Sequence, residues 1–102
     1  MAKSRLSFQS LLETLLGSEN VYYQPPPNVT MQYPCIVYED DDDSVKRADN
    51  QVYDWTQRYQ VTYIDKNPDS EVKKLLRLLP YSSFSRHFAT SGLNHDVFVI
   101  YH

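Results

Sequence analysis

An alternating run over residues 52–64 constrains the fold of this chain more than any other feature. Large apolar and aromatic side chains fall at its odd positions: Tyr53, Trp55, Tyr59, Val61 and Tyr63. Polar side chains fall at most of its even positions, among them Arg58, Gln60 and Thr62. Because side chains of a strand alternate between its two faces, this period of two predicts a long, half-buried strand. The chain is therefore expected to contain a sheet with one face polar enough to meet water.

Two stretches have the apolar spacing of an amphipathic helix. The first predicts a helix over residues 5–16 that ends at Gly17, with its apolar stripe on Phe8, Leu11, Leu12, Leu15 and Leu16. In the second, Asp69 or Ser70 is the expected N-cap and Pro80 ends the helix. The apolar stripe of this second helix is Val72, Leu75, Leu76 and Leu79.

Shorter β-rich segments surround these helices. Residues 21–24 suit a short edge strand, and residues 31–38 suit a strand in which Pro34 indicates an edge position or a bulge. Three consecutive prolines, 25–27, separate the two with a stiff extended segment. After the second helix, the sequence predicts a strand around Phe84 and Phe88, a hairpin connection at residues 91–94 and a last strand over residues 97–101.

This order of elements predicts one α+β domain over residues 1–102. We expect two helices packed on one face of a mostly antiparallel sheet of about four strands, in the order α-β-β-α-β-β. A chain of 102 residues is the length of a single domain. Its 41% hydrophobic residues are enough for a modest core and too many for a disordered chain.

Composition excludes several functional classes. No stretch approaches the roughly 18 apolar residues that a membrane helix requires, and Gln9 and Glu13 interrupt what would be the apolar part of a signal peptide. A single cysteine, Cys35, cannot form an intramolecular disulfide, which fits a reducing compartment. With two glycines in the chain, Gly17 and Gly92, neither glycine-rich phosphate fingerprint can be written. We expect no membrane partner and no cofactor.

The negative charge of the protein is concentrated in one segment. Thirteen acidic and ten basic side chains give a net charge of −3, and five of the acids are consecutive: Glu39, Asp40, Asp41, Asp42 and Asp43. Such a block is typical of a solvated, mutually repelling connection, and it predicts a flexible acidic loop over residues 39–49. A docking element for a basic partner and a metal site shared between subunits are the alternatives, although the spacing is not that of an EF-hand.

Candidate catalytic residues are sparse. A nucleophilic Cys35 would need an imidazole within hydrogen-bond reach, and the chain offers His87, His95 and His102. The position of Cys35 in a predicted strand favours a buried structural thiol instead. His95 and Asp96 are adjacent, so in a strand they would point to opposite faces; we expect Asn94 and Asp96 to cap the turn. The sequence predicts neither enzymatic activity nor a catalytic metal.

Tyrosines outnumber what one small core usually holds, and tyrosine is enriched at protein interfaces. Seven of the nine tyrosines are considered for this: Tyr22, Tyr23, Tyr53, Tyr59, Tyr63, Tyr81 and Tyr101. Most are expected to pack in the core, and some to remain for an interface. A stacking platform for single-stranded nucleic acid would need cations interleaved with the rings, whereas the basic residues here are scattered.

Three segments of the chain combine the elements described above in a particular order: "LLETLLGSENVYYQPPPNVTMQYPCIVYE", "ADNQVYDWTQRYQVTYIDKNPDSEVKKLL" and "SSFSRHFATSGLNHDVFVIY". Together they resemble the small tail-terminator, or tail-completion, proteins of long-tailed bacteriophages. In that family an opening helix precedes the proline-containing segment, and a strand and turn then lead into a second helix. The resemblance covers residues 8–101 and lies in the order and spacing of the motifs rather than in any catalytic signature.

The resemblance implies a structural virion protein. About six copies would form a ring at the head-proximal end of the tail tube, stop tube polymerisation and offer a surface for head–tail joining. The implied partners are other copies of the chain, the major tail tube protein and the head–tail connector, while genomic DNA passes through the ring without specific binding. The implied location is the neck region of the virion tail, and the host cytoplasm during assembly.

Candidate contact residues come from the sequence itself, since the family offers no short motif to transfer. For inter-subunit or inter-ring contacts they are Tyr22, Tyr23, Glu39, Asp40, Asp41, Asp42, Asp43, Arg58 and Tyr59. Two rival functions stay open. The chain would be another small neck ring protein, of the head-closure or adaptor type, or a module whose acidic loop mimics nucleic acid to occupy a host protein. A cysteine-dependent enzyme is a third, weaker alternative.

Overall fold

The computed structural model describes residues 5–41 and 57–102. This part of the chain contains, in order, α1 (Arg5–Leu16), β1 (Val21–Tyr23), β2 (Cys35–Asp40), β3 (Arg58–Asp65), α2 (Glu71–Leu78), β4 (Ser82–Thr90) and β5 (Leu93–Tyr101). Both helices contribute to one apolar core against the sheet. The predicted α+β class is confirmed. None of the helices in the described part is long and apolar enough to cross a bilayer.

The strands form a single sheet in the spatial order β1-β2-β3-β5-β4. β1 runs parallel to β2, and the remaining three pairings are antiparallel. The described strands number five rather than about four, because the short β1 joins the ladder. Backbone bonds at both of its ends secure it there: Ile36 donates to the carbonyl of Asn20, and Gln24 donates to the carbonyl of Tyr38, each at 2.9 Å.

The helices end at the local signals that the sequence contains. Gly17 follows α1 with a φ of +81°, which a residue without Cβ adopts readily. Ser70 is the N-cap of α2, and its side-chain oxygen accepts a hydrogen bond from the amide of Val72. Leu79 caps the C-terminal end just before Pro80. Both predicted helices are therefore confirmed.

The strand boundaries depart further from prediction. The strand expected over residues 31–38 begins at Cys35 and ends at Asp40, because Pro34 has no N–H to donate to the ladder. The strand expected over residues 52–64 is described from Arg58 to Asp65, and residues 52–56 lie outside the described part. The last strand starts at Leu93 rather than at residue 97.

The predicted start of the acidic loop was wrong. Glu39 and Asp40 are strand residues, opposite Gln60 and Tyr59 of β3. Backbone pairing with a partner strand holds them in place despite their charges, and the ladder contact continues to Asp41, whose amide donates to the carbonyl of Arg58 at 2.9 Å. The rest of the predicted loop, residues 42–49, lies outside the described residues.

Phe8 lies at the centre of the core between α1 and the sheet. Its fully buried ring stacks on Tyr59 with centroids 4.5 Å apart and meets Tyr38 edge-on at 5.4 Å. Leu12 and Leu76 bring the two helices into the same cluster. Ring pairs of this geometry each contribute about 0.5–1.5 kcal/mol beyond the burial of their area. The Phe8, Tyr38 and Tyr59 rings therefore attach α1 to β2 and β3.

The other face of the sheet is partly covered. Cys35, Ile64 and Val97 are buried there, since they alternate with the core-facing residues of their strands. Part of the cover comes from the segment after β1, where the amide of Gln32 donates to the hydroxyl of Tyr22 at 3.1 Å. The expected half-polar second face is thus less polar than the sequence suggested.

A tight turn joins β4 to β5. Ser91 and Gly92 have φ values of +54° and +76°, the positive pair that a two-residue type I′ turn requires. The pairing runs outward from Thr90 opposite Leu93, so the connection is two residues long rather than the predicted four. A β-bulge between Phe84 and Arg86 interrupts the register. The extra residue, Ser85, shifts the alternation of side chains along β4 by one.

Candidate functional site

Four of the nine predicted contact residues lie where β2 ends and β3 begins: Tyr23, Asp40, Asp41 and Arg58. We call the side chains at this place the strand-end cluster, which comprises Arg5, Gln9, Tyr23, Tyr38, Asp40, Asp41 and Arg58. α1 supplies the first two of these residues, and β1, β2, β3 and the residue after β2 supply the others. The parallel pairing of β1 with β2 places Tyr23 directly beside Tyr38.

A chain of hydrogen bonds passes through the Tyr38 hydroxyl. Arg5 donates from Nη1 to this oxygen at 3.0 Å, and the hydroxyl donates to Oε1 of Gln9 at 2.5 Å. The Gln9 amide in turn donates to Glu13 and to the carbonyl of Val21. Burial raises the pKa of Tyr38, and the adjacent Arg5 guanidinium opposes that rise. The network fixes α1 to the two strands by polar contacts around the aromatic core.

Tyr23 and Asp40 form the outer part of the cluster. The Tyr23 hydroxyl donates to Oδ2 of Asp40 at 3.0 Å, and the Arg5 guanidinium lies 4.3 Å from the centre of the Tyr23 ring. Burial raises the pKa of Tyr23, and the hydrogen bond to the Asp40 carboxylate adds to the rise because a phenolate beside a carboxylate is disfavoured. Asp40 is thereby held on the helix-covered side of the sheet.

Asp41 and Arg58 close the end of the β2–β3 pair. Arg58 Nε lies 3.1 Å from Oδ2 of Asp41, and both side chains are about one-third exposed. An ion pair this exposed adds on the order of 0–1 kcal/mol to the free energy of unfolding. Its main effect is therefore to orient the chain after β2 rather than to stabilise the fold. The first residues of the acidic run are therefore attached to the body of the protein.

The remaining predicted contact residues lie elsewhere. Tyr59 is 3% exposed and packs in the core, so its ring is not available on the surface of a single chain. Tyr22 lies half-buried on the opposite sheet face, bound to Gln32. Glu39 is exposed on that same face, by its alternation with Asp40. Asp42 and Asp43 lie outside the described residues.

A second feature is a groove between α2 and β4, which we call the β4 groove. Its volume is about 680 Å³, within the range of small-molecule and peptide sites. The groove is lined by Pro68, Asp69, Lys73, Lys74, Arg77, Leu78, Phe84, His87, Asp96 and Phe98. The groove is open because α2 does not bury β4: every β4 residue after Ser82 is exposed.

The base of the groove holds a histidine–carboxylate pair that sequence reasoning missed. His87 Nδ1 lies 2.9 Å from Oδ1 of Asp96, which is 6% exposed. The prediction that Asp96 caps the turn was therefore wrong. Asp96 lies on the core side of the sheet, whereas His95 stacks on Phe88 on the opposite side. Counting outward from a turn at Ser91 and Gly92 would have paired residues 87 and 96, but the predicted four-residue connection shifted this register.

Cys35 is fully buried, as predicted. Burial raises the pKa of its thiol to about 11, which opposes formation of the nucleophilic thiolate near neutral pH. No group of three or more His, Cys, Asp or Glu side chains within residues 5–41 and 57–102 is arranged to hold a metal ion. Of the two polar features described above, one positions acidic residues and the other exposes cations beside apolar side chains.

Comparisons with known proteins leave the family of the chain open. No protein-family model matches it, and no curated protein and no solved structure is significantly similar to it.

Proposed function

We propose that this chain is a structural protein of a long-tailed bacteriophage that assembles into a ring of about six copies. The ring would close the head-proximal end of the tail tube, stop addition of tube protein and present a surface to the head–tail connector. The order of sequence motifs supports this class of protein, and one structural observation supports assembly.

That observation is the free outer edge of β4. β4 is a nine-residue strand at one end of the sheet, and in the described part of the chain it pairs only with β5. An exposed edge of this length offers unpaired backbone N–H and C=O groups to another chain. The opposite edge, β1, is short and different in sequence. Contact between two unlike edges is heterologous, and a heterologous contact that closes by rotation gives a ring.

A ring of this kind has two chemically different ends. One end can match the last layer of the tube while the other does not, so that tube protein binds once and cannot add again. The net charge of −3 per subunit would give the ring a negative field, which disfavours retention of passing DNA. These properties suit a terminator that DNA crosses without specific binding.

The first test is the assembly state of the purified protein. Sedimentation velocity and electron microscopy, with and without purified tail tubes, should show rings of about six subunits seated on one tube end. Cross-linking with mass spectrometry should then find tube protein on one side of the ring and connector on the other. Contacts to the portal and none to the tube would instead indicate an adaptor. A chain that stays monomeric with tubes present and is absent from virions contradicts the proposal.

A proline substitution tests the β4 edge itself. In a two-residue hairpin Thr90 and Leu93 form a hydrogen-bonded pair, so the amide of the preceding Ala89 points to the outer edge. Ala89→Pro removes an outward N–H and should abolish rings while the monomer stays folded. Thr90→Pro is the matched control, because it removes a bond to β5 and should lower stability. Rings formed by folded Ala89→Pro protein would show that this edge is not the contact.

A further inference from the structure

The β4 groove combines an apolar base with cations at its rim. Phe84, Phe98 and Leu78 supply the apolar part. The Arg77 guanidinium lies 4.8 Å from the centre of the Phe84 ring, and Lys73 and Lys74 occupy the preceding turn of α2. Because the Phe84 ring is itself 41% exposed, the groove is an open surface feature rather than a closed core cavity.

The cations of the groove are weakly engaged within the chain. Lys74 pairs with Glu71 at 3.4 Å in an exposed contact, which is worth on the order of 0–1 kcal/mol. Lys73 donates to the carbonyl of Pro68, which leaves its charge unneutralised. Of the two carboxylates in the lining, Asp96 is buried against His87 and Asp69 is exposed, so the three cations Lys73, Lys74 and Arg77 outnumber the one accessible carboxylate. The accessible rim is therefore positive and suited to an acidic partner.

The chain itself carries an acidic segment near the opposite edge of its sheet. The acidic run, residues 39–43, begins in β2, which is three strand spacings from β4, or about 14 Å. Asp40 and Asp41 are held by Tyr23 and Arg58, whereas Glu39 is exposed. Since β2 lies next to the β1 edge, a second copy whose β1 edge approaches β4 brings its acidic run to the groove.

We propose that the β4 groove receives the acidic run of a neighbouring copy, so that successive subunits join head to tail. The inference rests on the proposed ring and names the contact that would close it. The contact places acidic side chains along the cationic face of α2, with Phe84 beneath them.

A peptide binding assay tests recognition independently of ring formation. A fluorescent peptide of residues 37–44 is titrated with the full-length protein, and the same peptide with amides in place of the acids is the negative control. Lys73→Glu combined with Lys74→Glu should weaken binding by about tenfold or more, as loss of two modest ion pairs implies. Lys66→Glu combined with Arg86→Glu reverses two exposed cations outside the groove and should change binding less than about twofold.

Charge complementation then tests the contact between copies. The groove variant, and separately a variant with Glu39, Asp42 and Asp43 changed to Lys, should each fail to form rings, and an equimolar mixture should recover them. Both variants retain the Asp40 and Asp41 contacts. Circular dichroism shows whether each variant is folded. The neutral variant Lys73→Gln with Lys74→Gln should also weaken assembly, which separates loss of the contact from loss of the fold.

The outcomes distinguish this inference from the proposed function. Rings that form equally well from both charge-reversed variants, or an acidic peptide that does not bind, overturn the groove contact while leaving the ring proposal intact. A wild-type protein that never forms rings contradicts the proposed function, and the peptide assay still decides whether the groove recognises the acidic run. Binding of a short oligonucleotide to the groove, with none of the peptide, would also overturn the inference.

Discussion

The hydroxyl oxygen of Tyr63 in β3 lies 2.7 Å from Oγ of Ser70, the N-cap of α2. The Tyr63 hydroxyl also donates to Oδ2 of Asp65 at 2.5 Å, so Ser70 donates to Tyr63 while accepting from the amide of Val72. Each hydroxyl thus donates one bond and accepts another, an arrangement in which the bonds strengthen one another. The start of α2, and with it one wall of the β4 groove, is tied to the centre of the sheet.

This chain of hydrogen bonds predicts coupled stability losses. Ser70→Ala removes the cap and should lower the free energy of unfolding by about 1–2 kcal/mol. Tyr63→Phe should cost a similar amount, about 1–2 kcal/mol, since it leaves buried partners unsatisfied. In a double-mutant cycle followed by urea denaturation, the two changes should couple by about 1 kcal/mol. Ser70→Thr keeps the hydroxyl and is the control; additive losses in the cycle would contradict the coupling.

Buried tyrosines predict a loss of stability at high pH. Burial and then the hydrogen bond to Asp65 raise the pKa of Tyr63 well above its ordinary value of 10.0, and burial raises the pKa of Tyr38 and Tyr59. The folded protein therefore holds these protons to higher pH than the unfolded chain does. The stabilisation is complete below pH 10 and disappears as the pH rises through the folded pKa values, by up to about 1.4 kcal/mol per pH unit for each tyrosine.

Denaturation midpoints measured from pH 8 to pH 11 check this dependence. Tyr63→Phe removes one titrating group and should make the decline above pH 10 shallower. Tyr81→Phe is the matched control, because the Tyr81 side chain is 79% exposed. A stability that does not change between pH 9 and pH 11 would contradict the burial of these hydroxyls.

The aromatic centre of the core predicts a large effect of truncating Phe8. Phe8→Ala removes the ring that stacks on Tyr59 and should lower the free energy of unfolding by about 3–5 kcal/mol. Leu6→Ala, in the same helix but at a side chain that is 65% exposed, should change it by less than about 0.5 kcal/mol. Thermal and urea denaturation measure both variants. Equal losses would mean that α1 does not pack as described.

The Cys35 thiol should react slowly in the folded protein. Its pKa of about 11, raised from 9.0 by burial, lowers the thiolate fraction about hundredfold at neutral pH. Reaction with iodoacetamide should therefore be at least about hundredfold slower in the native protein than in guanidinium chloride, before steric protection is counted. Stoichiometric labelling at the unfolded rate would revive the cysteine-enzyme alternative.

Local signals made the helices predictable, whereas pairing made the strands less so. Gly17, Ser70 and Pro80 mark helix ends within a few residues of sequence, and the apolar stripes agree with them. The ends of β2 depend on what β3 offers as a partner, so that Asp40 joins a strand despite its charge. The parallel pairing of β1 with β2 is equally non-local, and no pattern within the three residues of β1 predicts this pairing.

The two polar features differ in the same way. The strand-end cluster was partly predictable, since Tyr23, Asp40 and Arg58 stood out from composition and charge. Tyr59 was not, because its burial follows from the position of Phe8 on another element. The β4 groove could not be predicted, since it depends on which strands α2 covers and on a bulge that no residue pattern around Ser85 indicates.

Because of this bulge, the groove depends on the number of residues in β4 as well as on their chemical type. The turn at Ser91 and Gly92 fixes the register of β4. Phe84 and His87 are an odd number of residues apart, so they lie together on the groove side only because the bulge at Ser85 shifts the alternation of side chains. Loss of a single codon between His87 and this turn would leave every groove residue in the gene yet send His87 to the opposite face. In evolutionary terms, substitutions along β4 can preserve the groove, whereas insertions and deletions move side chains from one face of the strand to the other. In an alignment, gaps in this strand would separate chains that share the groove from chains that share only the fold.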